Sequence, residues 1–174
     1  MAASGPRPVA PRPAGTVKIT TTGEEKLAYP KLEARIRNTY AARSDATYVA
    51  DLYNSYVQAI HWASDRLGAD GGVIAFVTNG GFLDGNAMSG LRRCLIEEFS
   101  DIRIFDLCGN QRTIGERSKR EGGQTFGSGS RAPIAITVLT RRHGTPAAGA
   151  IHYHDIGDYL TREQKLRIAD QHMN

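Results

Sequence analysis

GVIAFVTNGGFLDGNAMSGLRRCLIEEFSDIRIFDL, Gly72–Leu107, decides the fold class. It opens with a continuous apolar run, Gly72–Thr78, the pattern of a strand covered on both faces as in a parallel sheet. Asn79-Gly80-Gly81 breaks that run, and a helix starts near Asp84–Asn86. Met88, Leu91, Leu95, Ile96 and Phe99 recur at helical spacing and make its core face. Ile102–Leu107 then reads as a second strand. Upstream, Pro30 opens a helix with Leu32, Ile36 and Tyr40 on one side. A stronger helix is predicted from about Thr47 to Leu67, with Leu52, Tyr56, Ala59, Ile60, Ala63 and Leu67 as its stripe and Gly68 as its stop. His61 and Trp62 on that helix read as core or rim. Helix–strand–helix–strand is the rhythm of an α/β sheet, in which ligands sit at the carboxyl ends of strands. The NGGFLDG turn lies at such an end.

Gly109–Leu139, GNQRTIGERSKREGGQTFGSGSRAPIAITVL, follows the second strand. Its last part, Ala132–Thr140, reads as a strand returning antiparallel to Ile102–Leu107. The connection carries six glycines and five basic residues, Arg112, Arg117, Lys119, Arg120 and Arg131, against the acids Glu116 and Glu121. A connection of that length without apolar periodicity is functional or disordered. Glycine permits close approach of backbone amides, and arginine suits phosphate oxygens and base edges. The segment suits an anionic polymer, and equally a solvated hairpin tip. A short strand at Ile151–Ile156 and a charged helix at Thr161–Gln171, capped by Thr161, close the chain.

The ends and the bulk composition set further bounds. The 174 residues fit one domain, with 40% apolar and 23% charged content. Net charge is +4 and the pI about 9.2, compatible with nucleic acid but not diagnostic of it. Residues 1–28 read as a disordered Pro/Arg-rich arm, holding four of the seven prolines, and a polar lead-in. Two cysteines, Cys94 and Cys108, without a CxxC or a secretory signal, point to a reducing cytoplasm. No apolar run reaches the roughly 20 residues that span a bilayer, so a soluble protein without a membrane partner is expected.

Several chemistries are weighed and set aside. IRIFDLCGN begins like a nucleotide site, but no helical stripe follows it. GSGSR at Gly127–Arg131 lacks the Lys-Ser/Thr pair of a phosphate-binding loop. His152, His154 and Asp155 leave a third metal ligand unspecified, and a half-exposed strand with two histidines accounts for them better. Neither cysteine has an activating neighbour in sequence.

Taken in order, YPKLEARIRNTYAARS (Tyr29–Ser44), WASDRLG (Trp62–Gly68), GGVIAFVTNGGFLDGN (Gly71–Asn86), LRRCLIEEFSDIRIFDLCGNQRT and GERSKREGGQTFGSGSRAPIAITVL resemble one family. They are similar to the methyltransferase region of type ISP restriction–modification enzymes and related adenine-specific DNA methyltransferases, from about Tyr29 to Ile168. The resemblance implies an α/β fold: a partial Rossmann-like methyltransferase sheet over 29–174, flanked by helices and ending in an antiparallel strand pair. It implies DNA as partner, with an adenine flipped into a pocket. Asn79, Phe82, Phe126 and Pro133 then belong to the target-base pocket, with Phe126 stacking, while the five basic residues face the DNA.

The same resemblance exposes departures. The family's glycine-rich S-adenosylmethionine turn and its NPPY segment do not occur here; before Tyr29 stand the Pro/Arg arm and TVKITTTGEEKLA. The expectation is a fragment derived from such a methyltransferase, with no catalytic residue, no metal and no cofactor site of its own, and a second polypeptide supplying the missing half. The alternative is a non-enzymatic nucleic-acid-binding or protein-interaction module on the same half-fold.

Overall fold

A computed structural model describes residues 16–19, 25–68, 70–126, 131–144 and 149–173. The Pro/Arg arm at 1–15 and the GSGS stretch at 127–130 lie outside them. β1 (Thr16–Ile19) and β2 (Glu25–Ala28) form an antiparallel hairpin where the sequence reads only as a polar lead-in. The main body then runs α1 (Pro30–Asn38), α2 (Ser55–Ser64), β3 (Gly71–Asn79), α3 (Ser89–Glu98), β4 (Asp101–Asp106), α4 (Gly115–Glu121), β5 (Ile134–Arg142), β6 (Ala150–Asp155) and α5 (Arg162–Met173). This is a mixed α/β fold: a four-stranded mixed sheet flanked by helices, in the order β3-β5-β4-β6.

β5 is antiparallel to both β3 and β4, with Ile74, Leu139 and Ile102 in one row. β6 runs parallel to β4. The three predicted main strands are thus in one sheet, with the last pair antiparallel as expected. The returning strand separates the other two.

Successive residues of a strand face opposite sides, so the rows define two faces. On the first lie Ile74, Leu139, Ile102 and Ala135, buried with Leu32 and Ile36 of α1, Val57 and Ile60 of α2, and Leu91 and Leu95 of α3. Gly90 lets α3 approach: a Cβ there would stand 1.9 Å from the Tyr40 carbonyl oxygen, so the helix meets the Ala41–Arg43 turn backbone to side. Arg141 ties the layers together, donating to the Leu67 carbonyl at 3.1 Å and pairing with Glu98 of α3. On the second face, α5 packs Ile168 and Ala169 against Phe105, Ile134 and Ile136.

Three expectations change. Gly72–Thr78 is not covered on both sides: Val73 and Val77 are 62% and 55% exposed, because β3 is a sheet edge and α5 covers only the end near β4 and β5. The helix predicted from Thr47 begins only at Ser55; a 3₁₀ turn at Ala50–Tyr53 precedes it, and extended Asn54 (φ −65°, ψ 146°) separates the two. The basic connection contains α4, which sequence periodicity misses because none of its residues is buried and no apolar stripe exists to be read. At the other end Thr161 caps α5 as expected. Its Oγ1 accepts the Gln164 N–H while its own N–H donates to Gln164 Oε1 at 2.7 Å, a reciprocal box. Among the described residues no helix is long and apolar enough to cross a membrane.

Candidate nucleic-acid interface

The carboxyl ends of β3, β4 and β6 open on a cleft of about 420 Å³, where an α/β sheet places its ligands. Its rim at β3 is built by local hydrogen bonds. Asn79 Oδ1 accepts the Gly81 N–H at 2.8 Å, and the Gly80 N–H donates to the Pro133 carbonyl at 2.8 Å. Arg92 enters from α3 and donates to the Phe82 and Gly85 carbonyls, so this cleft arginine holds the turn rather than standing free.

At the β4 end the cleft is acidic. Asp106 Oδ1 accepts the Cys108 N–H at 2.9 Å, and Oδ2 accepts the Tyr153 hydroxyl at 3.0 Å. Burial still outweighs both donors and lifts the Asp106 carboxyl above the usual aspartate range. Burial, then Asp106, Asp155 and Glu121, push the Cys108 thiol up to about 12, which keeps it a neutral, unreactive thiol near neutral pH. A second recess of about 440 Å³ shares Asp106, Cys108 and Glu121 and adds Arg120 and Asp158.

Lys165 of α5 is the countercharge. It is fully buried, and its Nζ donates to the Glu121 carbonyl at 2.6 Å. Desolvation lowers its pKa, opposed by Cys108, Glu121, Asp106 and Asp155. Donor atoms of Asp106, Cys108 and Asp155 lie within 4.8 Å of one another, close enough to surround a cation. Their lone pairs are largely committed, since Asp155 Oδ1 also accepts the Gly157 N–H at 2.6 Å. The trio lies within the field of the buried Lys165 ammonium, which partly compensates its charge. His152 and His154 take no part: His152 pairs with Asp101 at 3.3 Å, and His154 packs on Phe105, ring centres 5.0 Å apart.

The sequence-predicted pocket residues do not converge. Pro133 lines the cleft and Asn79 shapes its rim. Phe82 is 2% exposed in the main core, so it supports the wall from behind and offers no face to a ligand. Phe126 is 47% exposed and lies outside the cleft lining, the position of a surface residue available for stacking.

The five basic residues are all exposed, on and around α4. Three stand beside carboxylates: Arg117 by Asp84 at 3.4 Å, Lys119 by Glu116 at 3.4 Å, and Arg120 by Asp158 at 2.8 Å. Arg131 donates to the Gln111 carbonyl at 2.9 Å. Arg112 alone has no side-chain partner among the described residues. Exposed pairs of this kind are worth about 0–1 kcal/mol, so phosphates can displace them, at some cost to the net positive field.

The connection is nevertheless firmly anchored. Gln111 bonds Arg131 and Gly122, and the Asn110 N–H donates to Glu121 Oε2 at 3.0 Å. Gly122 (φ +68°) sits where a Cβ would be 2.2 Å from the Leu160 oxygen, so only glycine closes that contact. Sequence reasoning missed Asp106, Tyr153 and Lys165 as a set. The one readable signal was Lys165 sharing a helical face with Ile168 and Ala169, which puts an ammonium on the inward side.

The glycine turn after β3 runs into 3₁₀ turns at Gly80–Phe82 and Asn86–Met88 rather than directly into a helix, and Asn79 already occupies its Gly81 N–H.

No protein-family model matches this sequence, and no curated protein matches it. Solved structures do. A nuclease-deletion mutant of the Type ISP restriction–modification enzyme LlaGI in complex with a DNA substrate mimic superposes with TM-score 0.81 at 43% identity, over 90% of this chain and 15% of that one. The ATP-dependent Type ISP restriction–modification enzyme LlaBIII bound to DNA follows with TM-score 0.79 and 37% identity, over 88% of this chain and 10% of that one. The DrdV–DNA complex gives TM-score 0.76 and 35% identity, over 82% and 14%. The chain is therefore homologous to a segment of DNA-bound restriction–modification enzymes and spans only 10% to 15% of their length.

Proposed function

We propose that this chain is a DNA-facing part of an adenine-specific DNA methyltransferase of a type ISP restriction–modification system. It would present the later strands of the sheet and one wall of the target-base pocket. The single observation that carries this reading is the 43% identity with the DNA-bound LlaGI enzyme over 90% of the chain. The exposed basic residues around α4 and the cleft at the strand ends agree with it. Arg112, Arg117, Lys119, Arg120 and Arg131 would meet phosphates, and Phe126 would stack on the extruded base.

S-adenosylmethionine would be held by a second polypeptide or segment that brings the glycine-rich turn and the NPPY strand. Catalysis would require that partner, and DNA inside the cell would be the substrate. A second reading, a non-enzymatic nucleic-acid-binding or protein-interaction module, draws on the acidic lining of the cleft and the carboxylates beside three of the basic residues.

The deciding experiment is duplex binding by the 174-residue chain across a salt series. Log–log slopes should fall by roughly one unit for each phosphate contact removed. Arg117→Ala should reduce the slope, whereas Phe126→Ala should leave it and cost about 1–3 kcal/mol on single-stranded or mismatched DNA. Absence of DNA binding at low salt would defeat the DNA-facing reading and favour a protein partner. Calorimetric titration of the chain with S-adenosylmethionine should give no heat; micromolar 1:1 binding would place the cofactor site in this chain after all.

A further inference from the structure

Ile114 is 89% exposed, the most exposed of the large hydrophobic side chains among the described residues. It stands in extended conformation (φ −127°, ψ 161°) immediately before α4, and nothing lies within 4 Å of a Cβ built on the following Gly115. A floppy loop could hide such a side chain, but this one is held. The Arg112 N–H donates to Asn110 Oδ1 at 3.1 Å, Thr113 Oγ1 donates to the Asn110 carbonyl at 2.8 Å, and Gln111 is anchored from both Arg131 and Gly122. A β-branched side chain on an anchored loop loses little further freedom on insertion into an apolar slot.

The charges around it say which slot. The Arg112 guanidinium, without a partner among the described residues, precedes it by two residues, and exposed Arg117 follows by three. An apolar tip between cations matches a base stack between its phosphates better than the interior of another protein, which would have to desolvate those arginines. We propose that Ile114 is a wedge that enters the DNA base stack and holds open the step from which a base is extruded. This rests on the DNA-facing reading above and assigns a residue and an action to it.

The test uses the whole chain and duplexes carrying 2-aminopurine at each adenine in turn. Wild-type protein should bind and brighten the probe at one position, as an unstacked base does. Ile114→Ala should weaken binding about tenfold, the scale of a lost unstacking contact, and abolish the brightening. Its salt slope should not change, since no charge is removed, nor its melting temperature, since the side chain touches no core. Ile114→Leu should restore most of both signals. If wild type binds while Ile114→Ala binds and brightens the probe equally, the wedge is refuted and the DNA reading stands. A variant that keeps both DNA signals but loses self-association in sedimentation would make Ile114 a protein contact instead. If wild type binds no duplex, both readings fall.

Discussion

The two faces of the sheet are built from the same strands and nearly the same residue types, yet they end in different states. Ile74, Leu139 and Ile102 on one face are at most 7% exposed under α1, α2 and α3. Val73, Ala75 and Val77, alternating with them on β3, face solvent. Side-chain chemistry does not separate these rows. What separates them is which helices reach them: three cover the first face, while α5 alone serves the second and stops at β4 and β5. Apolar alternation is thus permission for burial, and a partner element is needed to carry it out.

The largest expected effect lies on the covered face. Leu139→Ala should destabilise by about 2–5 kcal/mol in chemical denaturation, because a fully packed side chain leaves a cavity. A cost below 1 kcal/mol would mean that this core is loosely packed.

Between the faces stand the polar ties. Lys165→Met removes the buried ammonium and leaves the Glu121 carbonyl without its donor, costing about 1–3 kcal/mol. The loss should be larger at pH 7 than at pH 4, because the neighbouring carboxylates then repel one another with no cation between them. Arg141→Met loses the bonds to Leu67, Ser64 and Glu98 and the guanidinium over the Phe99 ring; about 1–3 kcal/mol is expected.

Asp106 supplies a pH signature. Its folded pKa lies above the ordinary 3.8, so the folded state holds its proton longer than the unfolded one. Its contribution to stability is greatest below that value and declines as pH rises through the folded pKa. Asp106→Asn should flatten this part of the denaturation-midpoint profile from about pH 4 upward. An unchanged profile would show the carboxyl to be solvated.

The smallest effect lies on the open face. Val77→Thr should change stability by no more than about 0.5 kcal/mol, since an exposed β-branched residue is exchanged for another. A loss above 1 kcal/mol would mean that the second face is packed in solution and would break the contrast between the faces.

Periodicity alone located most of the elements. Leu91 and Leu95 at helical spacing, the β-branched runs around Val73 and Ile136, and the Thr161 cap were all readable, because each depends on residues within one or two turns of the chain. α4 was not, since a helix with no buried side chain leaves no apolar mark. The family resemblance pointed to restriction–modification enzymes, and DNA-bound relatives at 35% to 43% identity over 82% to 90% of the chain bear out that direction.

Local sequence therefore determined where most strands and helices run, which side chains are apolar, and where the basic residues gather. Only tertiary structure decided that β5 lies between β3 and β4, that Phe82 is core while Phe126 is surface, and that Lys165 is buried against the Glu121 carbonyl within the field of Asp106, Cys108 and Asp155. The reason is physical: propensity and periodicity act over a few residues, whereas burial and charge pairing depend on which distant segments the packed sheet brings together.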